Sequence, residues 1–128
     1  MIVDASAIVA ILLREPVHEA LLAKLKTADS VSVGAPTLAE AAIVLLSKIG
    51  PQGRRSLAAL LSESEITVVD FTDAHWRTAA DAYSRFGKGR HRAALNFGDC
   101  LTYAVAKLSS QPLLATGNDF ARTDLILA

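Results

Sequence analysis

MIVDASAIVAILL, Met1 to Leu13, carries the pattern that decides the fold. Ile2 and Val3 form a short apolar, β-branched strand that stops at Asp4. Directly after it, Ala7, Ile8, Val9, Ile11, Leu12 and Leu13 recur at helical spacing behind Ser6, a residue suited to capping a helix. A strand without polar alternation is buried on both faces, and parallel strands need crossover connections, which helices supply. The expected fold is therefore α/β, with helices on both sides of a mainly parallel central sheet.

The rest of the chain repeats the alternation. Pro16 suits the first turn of a second helix carrying Val17, Leu21, Leu22 and Leu25, and Val31 and Val33 form a second strand. Thr37 is expected to cap a third helix, with Leu38, Ala41, Ala42, Leu45, Leu46 and Ile49 on its apolar side, ended by Gly50 and Pro51. A fourth helix takes Leu57, Leu60 and Leu61. Ile66 to Val69 read as a strand, Asp73 to Arg85 as a helix and Asn96 to Leu108 as another. Leu113 to Thr116 read as a core strand and Leu125 to Leu127 as a short last one. There is no internal repeat, low-complexity tract or linker, so 128 residues make one domain, 1–128.

Thirteen basic and thirteen acidic residues cancel, which gives no global sign of nucleic-acid binding. The distribution says more: Arg85, Lys88, Arg90 and Arg92, with His91 among them, lie within eight positions and leave the remainder net acidic. Such a run is usually a solvated loop, but beside a carboxylate site it would suit phosphates. One cysteine excludes an internal disulfide framework and fits a reducing cytoplasm. No signal-peptide pattern or transmembrane-length apolar run is present. A hydrophobic fraction of 52% is high for a small soluble monomer and suggests apolar surface covered by a partner or a second copy.

The basic loop runs into the helix of GKGRHRAALNFGDCLTYAVAK, Gly87 to Lys107, where Asn96 is a good N-cap and Asp99 lies in the first turn. An acid there favours the helix dipole by about 0.3 to 1 kcal/mol, which alone accounts for it. Its meaning changes with its neighbours. In open parallel sheets the ligand site lies beyond the carboxyl ends of the strands. That rule directs Asp4 and Asp119 towards one cleft, with Glu40 and Asp99 in the first turns of helices beside it. Each has an ordinary explanation: Thr37 and Glu40 have the spacing of a capping box, Asp4 suits a turn, and Gly117-Asn118-Asp119 is good turn chemistry. Together they repel, by roughly 4 kcal/mol for a pair about 4 Å apart at an effective dielectric near 20. A cation resolves that conflict.

Oxygen ligands alone favour a hard ion, Mg²⁺ or Mn²⁺. His18, His75 and His91 have no ligand-like spacing to one another or to Cys100, which argues against zinc. A metal held by carboxylates lowers the pKa of bound water and polarises a phosphoryl oxygen, so phosphodiester hydrolysis would need no protein nucleophile. Asp4, Glu40 and Asp99 would be ligands or water-positioning bases, and Asp119 would complete the shell or hold a second ion. No G-x-S-x-G elbow and no phosphate-binding G-x-x-x-x-G-K-[ST] loop occurs, and Cys100 follows an acid that disfavours its thiolate.

Several segments in order resemble a known family. Met1-Ile2-Val3-Asp4-Ala5-Ser6-Ala7, Leu38-Ala39-Glu40, Gly87 through Cys100, and Gly117-Asn118-Asp119-Phe120 with Thr123-Asp124 are similar to a PIN domain of the VapC toxin type, over essentially the whole chain. The resemblance implies a PIN-like three-layer α/β/α sandwich and a Mg²⁺- or Mn²⁺-dependent endoribonuclease. It also implies a homodimer inhibited by a cognate VapB antitoxin in a type II toxin–antitoxin module. Asp4, Glu40 and Asp99 match the core acids, Asp119 the more variable fourth, and Ser6 the assisting hydroxyl. Asn118 stands where some relatives have an acid and Arg92 where many have proline, and Asp124 is a further acid near the fourth position. Lys88, Arg90 and Arg92 become the expected RNA-binding residues. The competing expectation is a non-catalytic RNA-binding or regulatory module that keeps the acidic pocket. The third and weaker one is a phosphatase or receiver, for which the second paired aspartate is missing.

Overall fold

The structure is a computed structural model that describes residues 1–128. Strand β1 (Ile2–Val3) is followed by helices α1 (Ala5–Leu12) and α2 (His18–Thr27), and β2 (Val31–Gly34) by α3 (Ala35–Ile49) and α4 (Pro51–Glu63). Strand β3 (Ile66–Val69) precedes α5 (Asp73–Phe86) and α6 (Phe97–Ser109), and β4 (Leu113–Leu114) precedes a 3-10 turn at Phe120–Arg122. The sheet is parallel throughout, in the order β3-β2-β1-β4.

Because successive strand residues point to opposite faces, Ile2 and Val3 enter different cores. Val3 packs with Ile8, Val33, Leu45, Leu57 and Leu60 under α1 to α4. Ile2 packs with Phe86, Leu95, Tyr103, Val105 and Leu113 under α5 and α6. Strands β1 and β4 thus feed both layers and lack polar alternation, whereas β2 alternates, with Val31 and Val33 in the first core and Ser32 paired with Thr67 on the other face. The result is the three-layer α/β/α sandwich expected from the sequence. No helix is long and apolar enough to cross a membrane.

Several boundaries differ from the sequence reading for identifiable reasons. Pro16 lies in the turn before α2, where the His18 amide donates to the Glu15 carbonyl at 2.9 Å and closes a turn upstream of the helix. Helix α3 starts at Ala35, with Gly34 at its cap and Pro36 in its first turn; proline's preset φ carries the helix start upstream of Thr37. Thr37 is consequently helical and buried, so the expected Thr37–Glu40 capping box does not form. Asp4, rather than Ser6, caps α1, accepting from the Ser6 amide at 3.1 Å. The strand expected at Leu113 to Thr116 is only Leu113–Leu114, because the Thr116 amide leaves the ladder and donates to Ser6 Oγ at 3.1 Å. The last strand reduces to one parallel bridge between Leu113 and Leu127.

The topology locates the cleft. The chain moves outward from β1 through β2 to β3, then returns to the opposite side of β1 for β4. The strand order therefore reverses at β1, and the crevice beyond its carboxyl end is where such sheets bind ligands. Asp4 is the residue at that end.

Candidate active site

Asp4 is the most buried carboxylate in the chain, 6% exposed. Its Oδ2 accepts from Ser6 Oγ at 2.6 Å as well as from the Ser6 amide, and its Oδ1 accepts from Thr102 Oγ1 at 2.6 Å. Thr102 Oγ1 lies 3.0 Å from Thr37 Oγ1. A hydroxyl carries one proton, so Thr102, which donates it to Asp4, must accept from Thr37. This orders a proton chain from α3 through α6 to the end of β1. Ser6 Oγ, holding Asp4 on one side, accepts the Thr116 amide on the other and ties in the segment after β4.

Asp99 and Asn96 form a reciprocal capping box at the start of α6. The Asp99 amide donates to Asn96 Oδ1 at 2.9 Å, and the Asn96 amide donates to Asp99 Oδ2 at 3.1 Å. The structural explanation of Asp99 therefore holds alongside any other role. Glu40, released from the capping box that does not form, leans its carboxyl group against Gly98.

The electrostatics bring the four acids into one field. Burial, then the charges of Asp4 and Asp99, push the Glu40 carboxyl above its ordinary range. Burial pushes Asp99 up too; the Asn96 amide opposes this, and the charges of Asp4 and Asp119 add to it. Groups raised in this way favour folding most below their ordinary pKa, and that contribution is lost as pH rises, so at neutral pH the ionised cluster opposes folding. No basic side chain relieves it. The three salt bridges are Arg77–Asp73, Arg85–Asp124 and Lys107–Asp124, none of which involves Asp4, Glu40, Asp99 or Asp119. As the side chains stand, no three of the acids close on one point as a ligand set. Like charges without a counter-ion splay, and Asp99 Oδ2 is turned to the Asn96 amide.

The remaining sequence-named residues divide clearly. Asn118 and Asp119 are exposed in the turn after Gly117, whose φ of +76° suits glycine. Asp124 is drawn elsewhere: Tyr103 Oη donates to its Oδ1 at 2.6 Å and Lys107 Nζ to its Oδ2 at 2.8 Å. Lys88, Arg90 and Arg92 are exposed on the loop from Gly87 to Leu95, with the Arg90 guanidinium 5.4 Å from the Tyr83 ring centre. His91 accepts the Ala93 amide and packs edge-on to Phe86, and Cys100 is buried with its thiol pushed up by burial and then by Asp99. Neither has the setting of a nucleophile–base pair.

Thr37 and Thr102 were not singled out as site residues by sequence reasoning. The available signal was spacing: Thr102 follows Asp99 by one helical turn, and Thr37 precedes Glu40 by one, so each shares a helix face with an acid.

The Asp124 cluster yields a pH prediction. Burial works to raise this carboxyl, but the Lys107 and Tyr103 hydrogen bonds and the charges of Lys107 and Arg85 outweigh it and hold Asp124 at about 2. Burial, then the Asp124 bond, push Tyr103 up to about 12. Asp124 thus stabilises the fold above its ordinary value of 3.8, and the contribution is lost as pH falls towards about 2. Tyr103 contributes below its ordinary 10.0, a contribution lost as pH rises through about 12. The thermal stability gap between the native chain and Asp124→Asn should be constant near neutral pH and shrink on acidification below about pH 4. A gap that persists unchanged in acid would contradict this account.

A parallel sheet whose order reverses at an acid-ended first strand, with three further acids around that end, defines a class. The PIN domain family model matches residues 1–126. Ribonuclease VapC36 of Mycobacterium tuberculosis is 52% identical over 126 residues, covering 98% of this chain and 91% of the relative. Ribonuclease VapC of Mycolicibacterium smegmatis is 42% identical over 125 residues, covering 98% and 97%. The chain belongs to the PIN-domain family and, within it, to the VapC ribonucleases. Among solved structures, the fold matches Mycobacterium tuberculosis VapC20, described as a Sarcin-Ricin loop cleaving toxin, with a TM-score of 0.80 at 18% identity, covering 99% of this chain and 97% of that one. It also matches a chain of VapBC2 from Rickettsia felis bound to a promoter DNA fragment, with a TM-score of 0.80 at 18% identity, covering 99% and 96%.

Proposed function

We propose that this chain is the toxin of a VapBC-type toxin–antitoxin pair, an endoribonuclease that hydrolyses RNA phosphodiester bonds with the help of Mg²⁺ or Mn²⁺. The observation that carries the reading is an acidic cluster without a basic partner at the sheet's switch point, in a member of the VapC family.

The donor set fits a hard divalent ion. Every candidate donor is a carboxylate oxygen, and the charge that raises Glu40 and Asp99 is what a cation would relieve. Asp4, Asp99 and Asp119 are assigned to hold it; Asp119 is exposed and able to rotate into place. Bound there, the ion would activate water and polarise a phosphoryl oxygen. Asp4 would keep its aim through Thr102 and Ser6, and Asp99 through its cap. Glu40, with its proton affinity raised, would accept the proton of the attacking water on its carboxylate.

Lys88, Arg90 and Arg92 are assigned to RNA phosphates. Replacing Arg90 and Arg92 by Gln should weaken RNA binding and reduce its dependence on log salt by about 1 per lost phosphate contact, with Mn²⁺ affinity unchanged. An unchanged salt slope would remove the loop from the RNA path.

The partner reading is a VapB-type antitoxin. A groove of about 640 Å³ between α1, α2 and α4 is lined by Ile11, Leu12, Leu22 and Leu60, with Arg14, Glu19 and Glu63 at its margin. It suits an amphipathic segment. An antitoxin arginine in the acidic cluster would supply the missing counter-charge. A homodimer would cover exposed apolar side chains, of which Phe97 at 79%, Ile126 at 69% and Ile43 at 66% are the most open.

The test is to incubate the purified chain with cellular RNA in Mg²⁺, Mn²⁺ or chelator and sequence the new RNA ends. Discrete, metal-dependent cuts are expected. RNA retained but uncut in every condition would favour the regulatory binding module.

A further inference from the structure

We propose that Gly98 is a positioning residue for Glu40: by lacking a side chain, it lets the first turn of α6 form the seat of the Glu40 carboxyl group. The proposal rests on the reading of Glu40 as part of the acidic site. A Cβ built at Gly98 would stand 2.6 Å from Glu40 Oε2, 3.0 Å from Oε1 and 3.1 Å from Cδ. Its three nearest neighbours thus all belong to one carboxyl group, brought from a different helix.

No other demand explains the glycine. The positive-φ glycines are Gly50, Gly89 and Gly117, so Gly98 has a backbone that any residue adopts. Within a helix, glycine is less favourable than alanine. Gly53 is a useful contrast, because its Cβ would meet the backbone of Leu45 at 2.8 Å, a framework contact between α3 and α4. At Gly98 the obstructed group is the end of a flexible side chain, so a methyl group would leave the fold intact and move Glu40. The carboxyl would have to retreat by roughly 0.8 Å to reach ordinary contact. Gly98 also immediately precedes Asp99, so the seat joins Glu40 to an acid whose charge, after burial and the charge of Asp4, pushes the Glu40 carboxyl up.

Gly98→Ala tests this. Its crystal structure should show the Glu40 carboxyl displaced with the α6 backbone unmoved, and its melting temperature should equal or exceed that of the native chain. RNA cleavage should lose about ten- to a hundredfold in kcat with little change in KM, the scale of an error near 1 Å in a reacting group. The double variant Gly98→Ala/Glu40→Gln should be no slower than Glu40→Gln alone, because Gly98 acts only through Glu40. The proposal is overturned if Glu40 stays in place while α6 shifts, if the variant melts well below the native chain, or if the two substitutions multiply in effect. Failure of the native chain to cut RNA would defeat the ribonuclease reading, while the crystal structure would still decide the seat.

Discussion

Asp99→Asn should lose RNA cleavage in Mg²⁺ or Mn²⁺ by at least about a hundred- to a thousandfold, the scale of several kcal/mol of lost transition-state stabilisation. The substitution separates the two roles that Asp99 combines. As a cap it needs an oxygen to accept the Asn96 amide, now at 3.1 Å, and asparagine retains one. As an assigned metal ligand it needs the negative charge, which asparagine lacks. The metal-free variant should therefore melt at the same temperature or higher, since one repulsive charge has left the field of Asp4 and Asp119. Added Mn²⁺ should raise the melting temperature of the native chain and do so much less for the variant. Undiminished cleavage by Asp99→Asn would sink the metal-site assignment. A marked loss of metal-free stability would show that the charge mainly serves the cap.

Thr102→Val should produce the largest stability loss expected from a single near-isosteric substitution. The hydroxyl donates to Asp4 Oδ1 at 2.6 Å and pairs with Thr37 Oγ1 at 3.0 Å, in a region where Thr37 and Thr102 are 2% and 1% exposed. Valine would leave both partners unmatched, each costing about 1–3 kcal/mol. A total of about 2–4 kcal/mol should lower the melting temperature by roughly 10 °C in a chain of this size. Thr37→Val removes only the terminal donor and should cost about 1 kcal/mol, because Thr102 still serves Asp4. Thr102→Ser should recover most of the loss. Cleavage should fall with Thr102→Val as well, since Asp4 would be free to turn away from the cleft. Calorimetry of the three variants decides the point: equal losses for Thr37→Val and Thr102→Val would contradict the directed chain.

Much of this was legible in the sequence because it depends on local pattern. Consecutive apolar residues at Ile2-Val3 implied a strand with two covered faces, and the two cores that divide those residues bear this out. Asn96 implied a capped helix start, and it caps α6, with Asp99 closing a reciprocal box that the dipole reading did not include. The Thr37–Glu40 spacing carried an equally good local signal and misled. Pro36, one residue earlier, begins the helix upstream and turns Thr37 inward to Thr102, a partner 65 positions away. Asp124 looked similar to the other acids along the chain. Its separation from them comes from Tyr103 and Lys107 on α6, which claim both of its oxygens.

The sequence by itself determined the order of most elements, the two-sided first strand, the candidate acids and the family resemblance, because propensity, capping and hydrophobic period act over a few residues. Only the tertiary structure decided which charges share a field and which are neutralised. That depends on β4 returning to the far side of β1, on Thr102 meeting Asp4 across 98 positions, and on the Glu40 carboxyl resting on a glycine of another helix. Electrostatic energy varies with distance in space, and distance along the chain does not encode it until the sheet has closed.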